Sequence, residues 1–308
     1  METTLIFVSY NNYLILKECL ESAMKYGILS KNIIVADNGS TDKSEELIPE
    51  QFPGVKFLNL GSNFGYGGAV NRAIKEVNTK FVCVLNTDMV FLSNPFPYIE
   101  LFFYDNKNVG VVGIQQVYPN ISWQSSYGNF VGIKQILFDL LYITFLKRFI
   151  TKQLFCFNWT FVKKVEYIDG AFMVFETQTL VSLNGFDEEN FFFYYEDTDI
   201  AYRLKQDGYN NYFIPELNII HYRGYSSTQN FSDPSEFSLN QFSIGLINYL
   251  NKHYSLLYKR CYIFLLKVHC KKQLLFSFLL GFLLGKEKIL FKQKRYETIL
   301  EYVDKMNK

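Results

Sequence analysis

Over the first ~115 residues, short apolar runs alternate with segments whose apolar positions recur at helical spacing, the pattern of a layered α/β domain. Leu5 to Val8 reads as a central parallel strand. Leu16, Cys19, Leu20 and Ala23 fall at i, i+3, i+4 and i+7, predicting a helix that Gly27 closes. Ile33 to Ala36 is a second strand, and Asp42 with Glu45 three residues on reads as an N-cap pair for the next helix. Val55 to Leu60 gives a third strand, Gly61 to Gly68 a glycine-rich loop, and Ala69 to Val77 a helix. Phe81 to Leu85 is the fourth strand.

Polar clusters sit just past these strands: Asp37-Asn38-Gly39-Ser40, the glycine-rich loop, and Asn86-Thr87-Asp88. Ligands of open α/β sheets bind outside the carboxyl ends of the strands, so these clusters are expected to converge although they are distant in sequence. Further on, a strand from Tyr167 to Phe175 carries Asp169-Gly170, and a helix runs over Thr177 to Leu183. Another helix runs to Gln206, a strand covers Tyr212 to Ile214, and His221 follows Pro215. Residues 115 to 165 give no clear periodicity. Ile136 to Phe161 is apolar but interrupted by Asp139, Lys147 and Arg148, which argues against a membrane span.

Charge changes the picture of the C-terminal region. From Lys252 to Lys308 there are 13 Lys/Arg against 4 Asp/Glu, while the first 251 residues carry 18 against 26. An acidic body with a basic tail fits an anionic surface as partner, and with no nucleic-acid motif present a membrane face fits better than nucleic acid. Leu274 to Gly285 is a near-continuous apolar stretch of 12 residues, flanked by Lys271, Lys272, Lys286 and Lys288. A span needs about 20 residues. The stretch therefore reads either as an element lying in the membrane interface or as a helix packed on the rest of the protein. Five cysteines, Cys19, Cys83, Cys156, Cys261 and Cys270, show no metal-type spacing and read as reduced packing residues. The N-terminus enters an apolar strand directly, so no signal peptide is expected.

Each polar cluster admits two readings. The Asp37 carboxylate can accept from a base imide or ribose hydroxyls, or it can cap a strand-to-helix turn. The glycine-rich loop lets backbone approach a ligand, or is simply flexible. It matches neither a dinucleotide fingerprint nor a Walker loop. Asp88 offers a hard oxygen where Mg²⁺ or Mn²⁺ bound to a diphosphate would lie. Glu196, Asp197 and Asp199 follow the aromatic run Phe191 to Tyr195, where burial and mutual repulsion raise carboxylate pKa values and suit one of them to act as a general base. A helix start favouring acids explains each of them singly. His221 is a structural histidine or a partner for Asp88 at a metal.

In order and spacing, Val8-Ser9-Tyr10-Asn11, Asp37-Asn38-Gly39-Ser40, Asn63-Phe64-Gly65-Tyr66-Gly67, Leu85-Asn86-Thr87-Asp88, Asp169-Gly170-Ala171, Gly185-Phe186-Asp187-Glu188, Glu196-Asp197-x-Asp199, Arg203, Gly208, Pro215 and His221 resemble family 2 glycosyltransferases. The resemblance covers residues 1 to about 228 and is strongest to the rhamnosyltransferase-like enzymes of bacterial polysaccharide assembly. It implies a GT-A fold, a Rossmann-like mixed α/β sheet flanked by helices, here with a helical C-terminal tail. The catalytic domain would span 1–237, with a nucleotide-binding half (1–115) and an acceptor and catalytic half (116–237), followed by the tail at 238–308. The activity implied is inverting transfer from a nucleotide-diphosphate sugar, with dTDP-rhamnose favoured and UDP-hexose or UDP-galactofuranose as alternatives, onto a lipid-linked cell-surface glycan.

The same resemblance assigns Asp197 as base, with Glu196 and Asp199 positioning it and the acceptor. Ser9, Asn11, Asp37, Asn38, Asn63, Gly65, Gly67, Asn86, Thr87, Asp88, Asp169 and Gly170 would line the donor site, and Asp88 and His221 would hold Mg²⁺ or Mn²⁺. Asn86 replaces the first acid of the family's DxD motif, which weakens the expected metal site. A cytoplasmic position at the inner membrane face, with surface contact through 252–295, completes the expectation. A nucleotidyltransferase is disfavoured because no Gly-rich loop with Arg and Lys precedes Lys17. A non-catalytic glycan-binding subunit would be expected to have lost Asp197, and a membrane scaffold has only the tail in its favour.

Overall fold

The computed structural model describes residues 1–143, 161–222, 236–280 and 286–305. They divide between two compact units: Met1–Phe130 with the described part of Trp159–Gln229, and the described parts of Val131–Asn158 and Asn230–Lys308.

The first unit is built on a nine-stranded mixed sheet. Its spine is β3(Lys56–Asn59), β2(Ile33–Asp37), β1(Thr3–Ser9), β4(Phe81–Asn86), β10(Phe172–Glu176), β6(Val109–Val117), β11(Asn210–His221) and β5(Met89–Phe91), and β8(Lys163–Val165) pairs with β11. The first four are parallel, β10 runs antiparallel between β4 and β6, and β11 is parallel to β6. Alternate side chains serve two cores. Leu5 and Phe7 face α1(Tyr13–Lys25), α2(Ser44–Gln51) and α4(Phe96–Asp105), while Ile6 faces α3(Gly65–Ala73), α6(Thr177–Ser182) and α7(Glu196–Gln206). This is the mixed sheet flanked by helices that the resemblance implies.

Registers bring the strand ends to one edge. Ser9 pairs with Asp37, Val8 with Asn86, and Phe172 with Leu85, so the 169–171 turn lies beside Asn86. Ile219 of β11 pairs with Gln116, and His221 pairs with Met89, just past Asp88.

Several boundaries differ from expectation. Gly65 to Gly68 is not loop but the buried first turn of α3. The segment Tyr167 to Phe175 is broken into β9(Tyr167–Ile168) and β10 by the 169–171 turn, where Asp169 Oδ1 accepts from the Ala171 N–H at 3.1 Å. Asp42 does not form the N-cap pair with Glu45. Its oxygens accept from the Ser44 and Tyr13 N–H groups, each at 2.9 Å, tying together the starts of α2 and α1. β11 is far longer than Tyr212–Ile214; its pairing with β6 shifts register between Ile214 and Asn218, around Pro215, which has no N–H to give the ladder. Cys19 and Cys83 are buried packing residues whose thiols burial pushes up; Cys270 is also buried, Cys261 is exposed, and Cys156 lies outside the described residues.

The second unit is helical: α5(Ile133–Leu140), α8(Glu236–His253), α9(Leu256–Leu280) and α10(Lys286–Lys305). Tyr254 Oη donates to the Val131 carbonyl at 2.7 Å and Tyr258 Oη accepts from the Ile133 N–H at 2.9 Å, fastening α5 to the tail. Most of Ile136 to Phe161, and the end of Leu274 to Gly285, lie outside the described residues. Among the described residues no helix is long and apolar enough to cross a membrane.

Candidate active site

At the carboxyl edge of β1, β2 and β4 the polar side chains hold one another. Ser9 Oγ donates to Asn12 Oδ1 at 2.7 Å, and Asn12 Nδ2 donates to Thr87 Oγ1 at 2.5 Å. Asn11, at a positive φ of 51°, donates its N–H to Ser40 Oγ at 2.9 Å and accepts at Oδ1 from the Thr41 N–H at 2.7 Å. Asp37 is buried, with Oδ1 accepting from Ser40 Oγ at 2.5 Å and Oδ2 from the Ser40 N–H at 2.9 Å. Burial raises its pKa, with the Ser40 bonds opposing. The turn-capping reading is thus realised. Each oxygen keeps a further acceptor site, so the ligand reading is compatible with it.

Asn38 reaches across to the next element. Its Nδ2 donates to the Gly65 carbonyl and its Oδ1 accepts from the Phe64 N–H, both at 3.0 Å; Asn63 Oδ1 caps the Gly65 N–H at 3.0 Å. Gly65 has φ +73°, and a Cβ there would lie 2.2 Å from the Phe192 carbonyl oxygen. A Cβ at Gly67 would lie 2.7 Å from Phe186 Cβ. Both glycines serve close approach of α3 to the 186–192 segment rather than bare exposure of backbone to a ligand.

Asp88 and His221 face each other in the interior. His221 Nε2 is 3.3 Å from Asp88 Oδ1. Gln124 Nε2 donates to the His221 carbonyl at 3.1 Å, which turns Gln124 Oε1 to His221 Nδ1 at 2.8 Å; Gln116 Oε1 is 2.7 Å from the same nitrogen. Two acceptors at Nδ1 call for a proton there, and Nε2 faces the carboxylate. Both Asp88 oxygens are buried without a hydrogen-bond donor. A second ring proton or a cation satisfies this arrangement, and a hard oxygen beside an imidazole suits Mg²⁺ or Mn²⁺. Among the described residues no group of three or more His, Cys, Asp or Glu side chains forms a cluster able to hold a metal. An ion held by Asp88 and His221 would therefore complete its shell from a bound diphosphate and water, the usual habit of Mg²⁺. Asn86, half-buried, is fixed through its N–H on the Ala171 carbonyl at 3.1 Å.

The acidic helix begins from a strained entry: Tyr194 and Tyr195 both have positive φ, 71° and 72°. Asp197 Oδ2 accepts from the Gly170 N–H at 3.0 Å and Oδ1 from the Thr198 N–H at 2.6 Å. Burial, reinforced by the charge of Asp169, pushes the Asp197 carboxyl up to about 6. Glu196 is 7% exposed and its Oε2 has no hydrogen-bond partner. Burial and then the Asp197 charge push it up to about 8. Burial and mutual repulsion thus favour one proton shared by the pair near neutral pH, leaving a carboxylate able to take another. A Cβ on Gly170 would lie 3.3 Å from Asp197 Cβ, so a side chain there would crowd the carboxylate. Asp199 is placed differently: fully buried, its Oδ2 pairs with Arg203 Nε at 2.8 Å, and the guanidinium also donates to the Leu183 and Gly185 carbonyls. Its carboxylate locks α7 to the 183–185 turn.

Hydrogen bonds thus link the strand-end residues among themselves and Gly170 to Asp197, while Asp88 faces His221, Glu196 Oε2 has no hydrogen-bond partner, and Asp199 and Gly67 serve other contacts. Tyr66 Oη donates to the Gly170 carbonyl at 2.6 Å, connecting α3 to the turn that holds Asp197. Asn12, Tyr66, Gln116 and Gln124 are members that sequence reasoning missed. Only Gln116 carried a local signal, as one of two adjacent polar residues (Gln115, Gln116) inside the otherwise apolar Val109–Val117, and that signal did not point to His221.

Comparison with known proteins follows the same lines. The family profile of glycosyl transferase family 2 matches residues 4–166. The chain is 23% identical over 217 residues to an N-acetylglucosaminyl-diphospho-decaprenol L-rhamnosyltransferase of Mycobacterium tuberculosis, an alignment covering 64% of this chain and 68% of that one. It is 26% identical over 215 residues to a poly-beta-1,6-N-acetyl-D-glucosamine synthase of Staphylococcus aureus, covering 69% of this chain and 48% of that one. Among solved structures, a mannosyltransferase of Pyrobaculum calidifontis in complex with GDP-Man and Mn²⁺ superposes with a TM-score of 0.61 at 13% identity, over 99% of this chain and 86% of that one. At that identity the likeness establishes the fold, which is GT-A.

Proposed function

The chain belongs to glycosyl transferase family 2 and is a glycosyltransferase; we propose that it works by single displacement with inversion, Asp197 serving as general base. The observation that carries this reading is the Asp197 carboxylate, raised towards neutrality by burial yet kept ionisable by two N–H donors. As the acceptor oxygen bonds to the anomeric carbon, its proton passes to Asp197, while the bond from that carbon to the diphosphate oxygen breaks and the nucleoside diphosphate leaves. A divalent cation held by Asp88 and His221 would neutralise charge on the leaving diphosphate. A proton shared with Glu196 keeps a second full negative charge away from Asp197. Ser9, Asn11, Asp37, Asn38 and Asn63 form the donor-facing edge, with Asn86, Thr87, Asp169 and Gly170 beside the sugar.

The donor is dTDP-rhamnose in this reading and the acceptor a lipid-linked cell-surface glycan, supported by the similarity to the mycobacterial rhamnosyltransferase. The similarity to the staphylococcal synthase supports a UDP-hexose-type donor as the second reading. Such an acceptor places the enzyme at the cytoplasmic membrane face, touching it through 252–295. A panel of dTDP-, UDP- and GDP-sugars, followed by nucleoside diphosphate release with and without EDTA, tests the donor and metal assignments together. Release is expected from dTDP-rhamnose, suppressed by EDTA and restored by Mg²⁺ or Mn²⁺. Turnover of a UDP-sugar alone, or indifference to EDTA, contradicts the respective assignment.

A further inference from the structure

The helix α9 presents a seam that the described residues of its own unit leave uncovered. Leu257, Cys261, Phe264, Val268, Lys271 and Leu275 succeed one another at steps of four, three, four, three and four, so they align on one face over about 27 Å at ~1.5 Å per residue. The opposite face, with Tyr262, Ile263, Leu266 and Cys270, is buried. The seam is open: Leu257 is 74% exposed, Phe264 66%, Val268 41% and Leu275 60%. Exposed leucines and a phenylalanine in register are not the scattered apolar residues of an ordinary surface.

Charge narrows what can cover it. From Leu256 to Leu280 the helix carries Lys259, Arg260, Lys267, Lys271 and Lys272 and no acidic residue. Lys267, on the same edge as Arg260, pairs with Asp304 at 2.5 Å, and Lys259 donates to Asn251 Oδ1 at 2.6 Å away from the seam. Arg260 borders the seam and Lys271 stands within it, both exposed and without an ion-pair partner among the described residues. A second copy meeting it seam to seam would set these cations against one another, the carboxylate at this edge, Asp304, being already paired with Lys267. An apolar seam about 27 Å long, edged by cations on long aliphatic stems, matches instead a helix lying flat in a bilayer interface, apolar side chains among the acyl chains and cations at the headgroups.

We propose that this face of α9 docks on anionic lipid, with Leu257, Phe264, Val268 and Leu275 entering the interface and Arg260 and Lys271 binding headgroup phosphates. The proposal deepens the membrane-side reading given above by naming the face and the lipid charge, and it is independent of the transfer chemistry. Donor hydrolysis is measured in parallel on every variant, so failure of lipid docking and failure of the enzymatic reading are separate results.

The experiment uses the full chain with vesicles of phosphatidylglycerol mixed into phosphatidylcholine, and of phosphatidylcholine alone. Co-sedimentation is expected with the anionic vesicles and not with the neutral ones. Phe264→Glu/Leu275→Glu is expected to weaken binding at least about tenfold, and Arg260→Gln/Lys271→Gln by a similar factor, with donor hydrolysis unchanged in both. Cys261 supplies a second reading: with Cys156→Ser, an environment-sensitive fluorophore on Cys261 should shift to the blue when anionic vesicles are added. No binding to anionic vesicles, or binding that both variants retain, overturns the proposal. So does a concentration-dependent dimer in lipid-free solution that Phe264→Glu/Leu275→Glu abolishes, since the seam would then belong to a second copy.

Discussion

Tyr66→Phe removes one hydroxyl from a ring that is 8% exposed, and the geometry says where the loss is felt. Tyr66 Oη donates to the Gly170 carbonyl at 2.6 Å, and the N–H of the same Gly170 is the donor that Asp197 Oδ2 accepts at 3.0 Å. Burial keeps the phenol protonated, so it acts only as a donor to that carbonyl. Without it residue 170, which has no side chain to hold it, loses its anchor and the N–H drifts from the carboxylate. A net hydrogen bond is worth about 0.5–1.5 kcal/mol. At about 1.4 kcal/mol per pKa unit, partial loss of that bond moves the Asp197 carboxyl by roughly 0.3–1 unit. The sign follows from what the bond does: an N–H donor favours the ionised form, so weakening it raises a carboxyl already pushed up to about 6. The acid limb of kcat against pH should therefore move upward in the variant. Its deficit should be severalfold at pH 6 and shrink towards unity by pH 8.5, with the KM for donor unchanged. Initial rates of nucleoside diphosphate release across that range, with a melting curve at each pH, make the measurement. A rate lowered by one factor at every pH would mean Tyr66 only supports the fold, and an unshifted limb would refute the link through Gly170.

Three further changes probe the other parts of the site. Glu196 is raised from 4.5 to about 8 in the folded protein, so between those values the folded state holds a proton that the unfolded state has lost, and stability falls as pH rises. Glu196→Gln should remove that slope, so its melting temperature gains on the parent at pH 8 and not at pH 4; parallel curves would contradict the assignment. Asp199→Ala leaves the Arg203 guanidinium, bonded to Leu183 and Gly185, without its buried counter-charge and should cost about 3–5 kcal/mol in urea unfolding. A folded variant inactive at full stability would instead return Asp199 to the chemistry. His221→Ala should raise the Mn²⁺ concentration needed for half-maximal turnover at least about tenfold, alongside a loss of stability from the cavity and the glutamines left unpaired; an unshifted metal requirement would make the histidine structural.

What the sequence made legible was the set of strand ends. Apolar runs finishing in Asp37 and in Asn86-Thr87-Asp88 mark the edge where ligands bind, because a buried parallel strand announces itself by hydrophobicity alone. The start of α3 was not legible. Gly65, Gly67 and Gly68 read locally as a loop, and it is the packing of Phe192, Phe186 and Glu188 against them in turn that explains glycine in a helix. Gln116 and Gln124 were hidden for a related reason: their approach to His221 depends on the pairing of β6 with β11, across more than 100 residues for Gln116. Asp199 shows the opposite failure, since its i,i+4 pairing with Arg203 could be read from spacing but was overshadowed by its acidic neighbours.

The central claim is that Asp197 takes the acceptor's proton, and Asp197→Asn tests it most directly. The amide keeps the volume but accepts no proton, and its single oxygen answers only one of the Gly170 and Thr198 N–H groups. Transfer should fall by at least about 10²–10⁴-fold while the donor still binds, followed by fluorescence titration of the nucleotide-sugar. Turnover within a few-fold of the parent, with the same acid limb, would contradict the account.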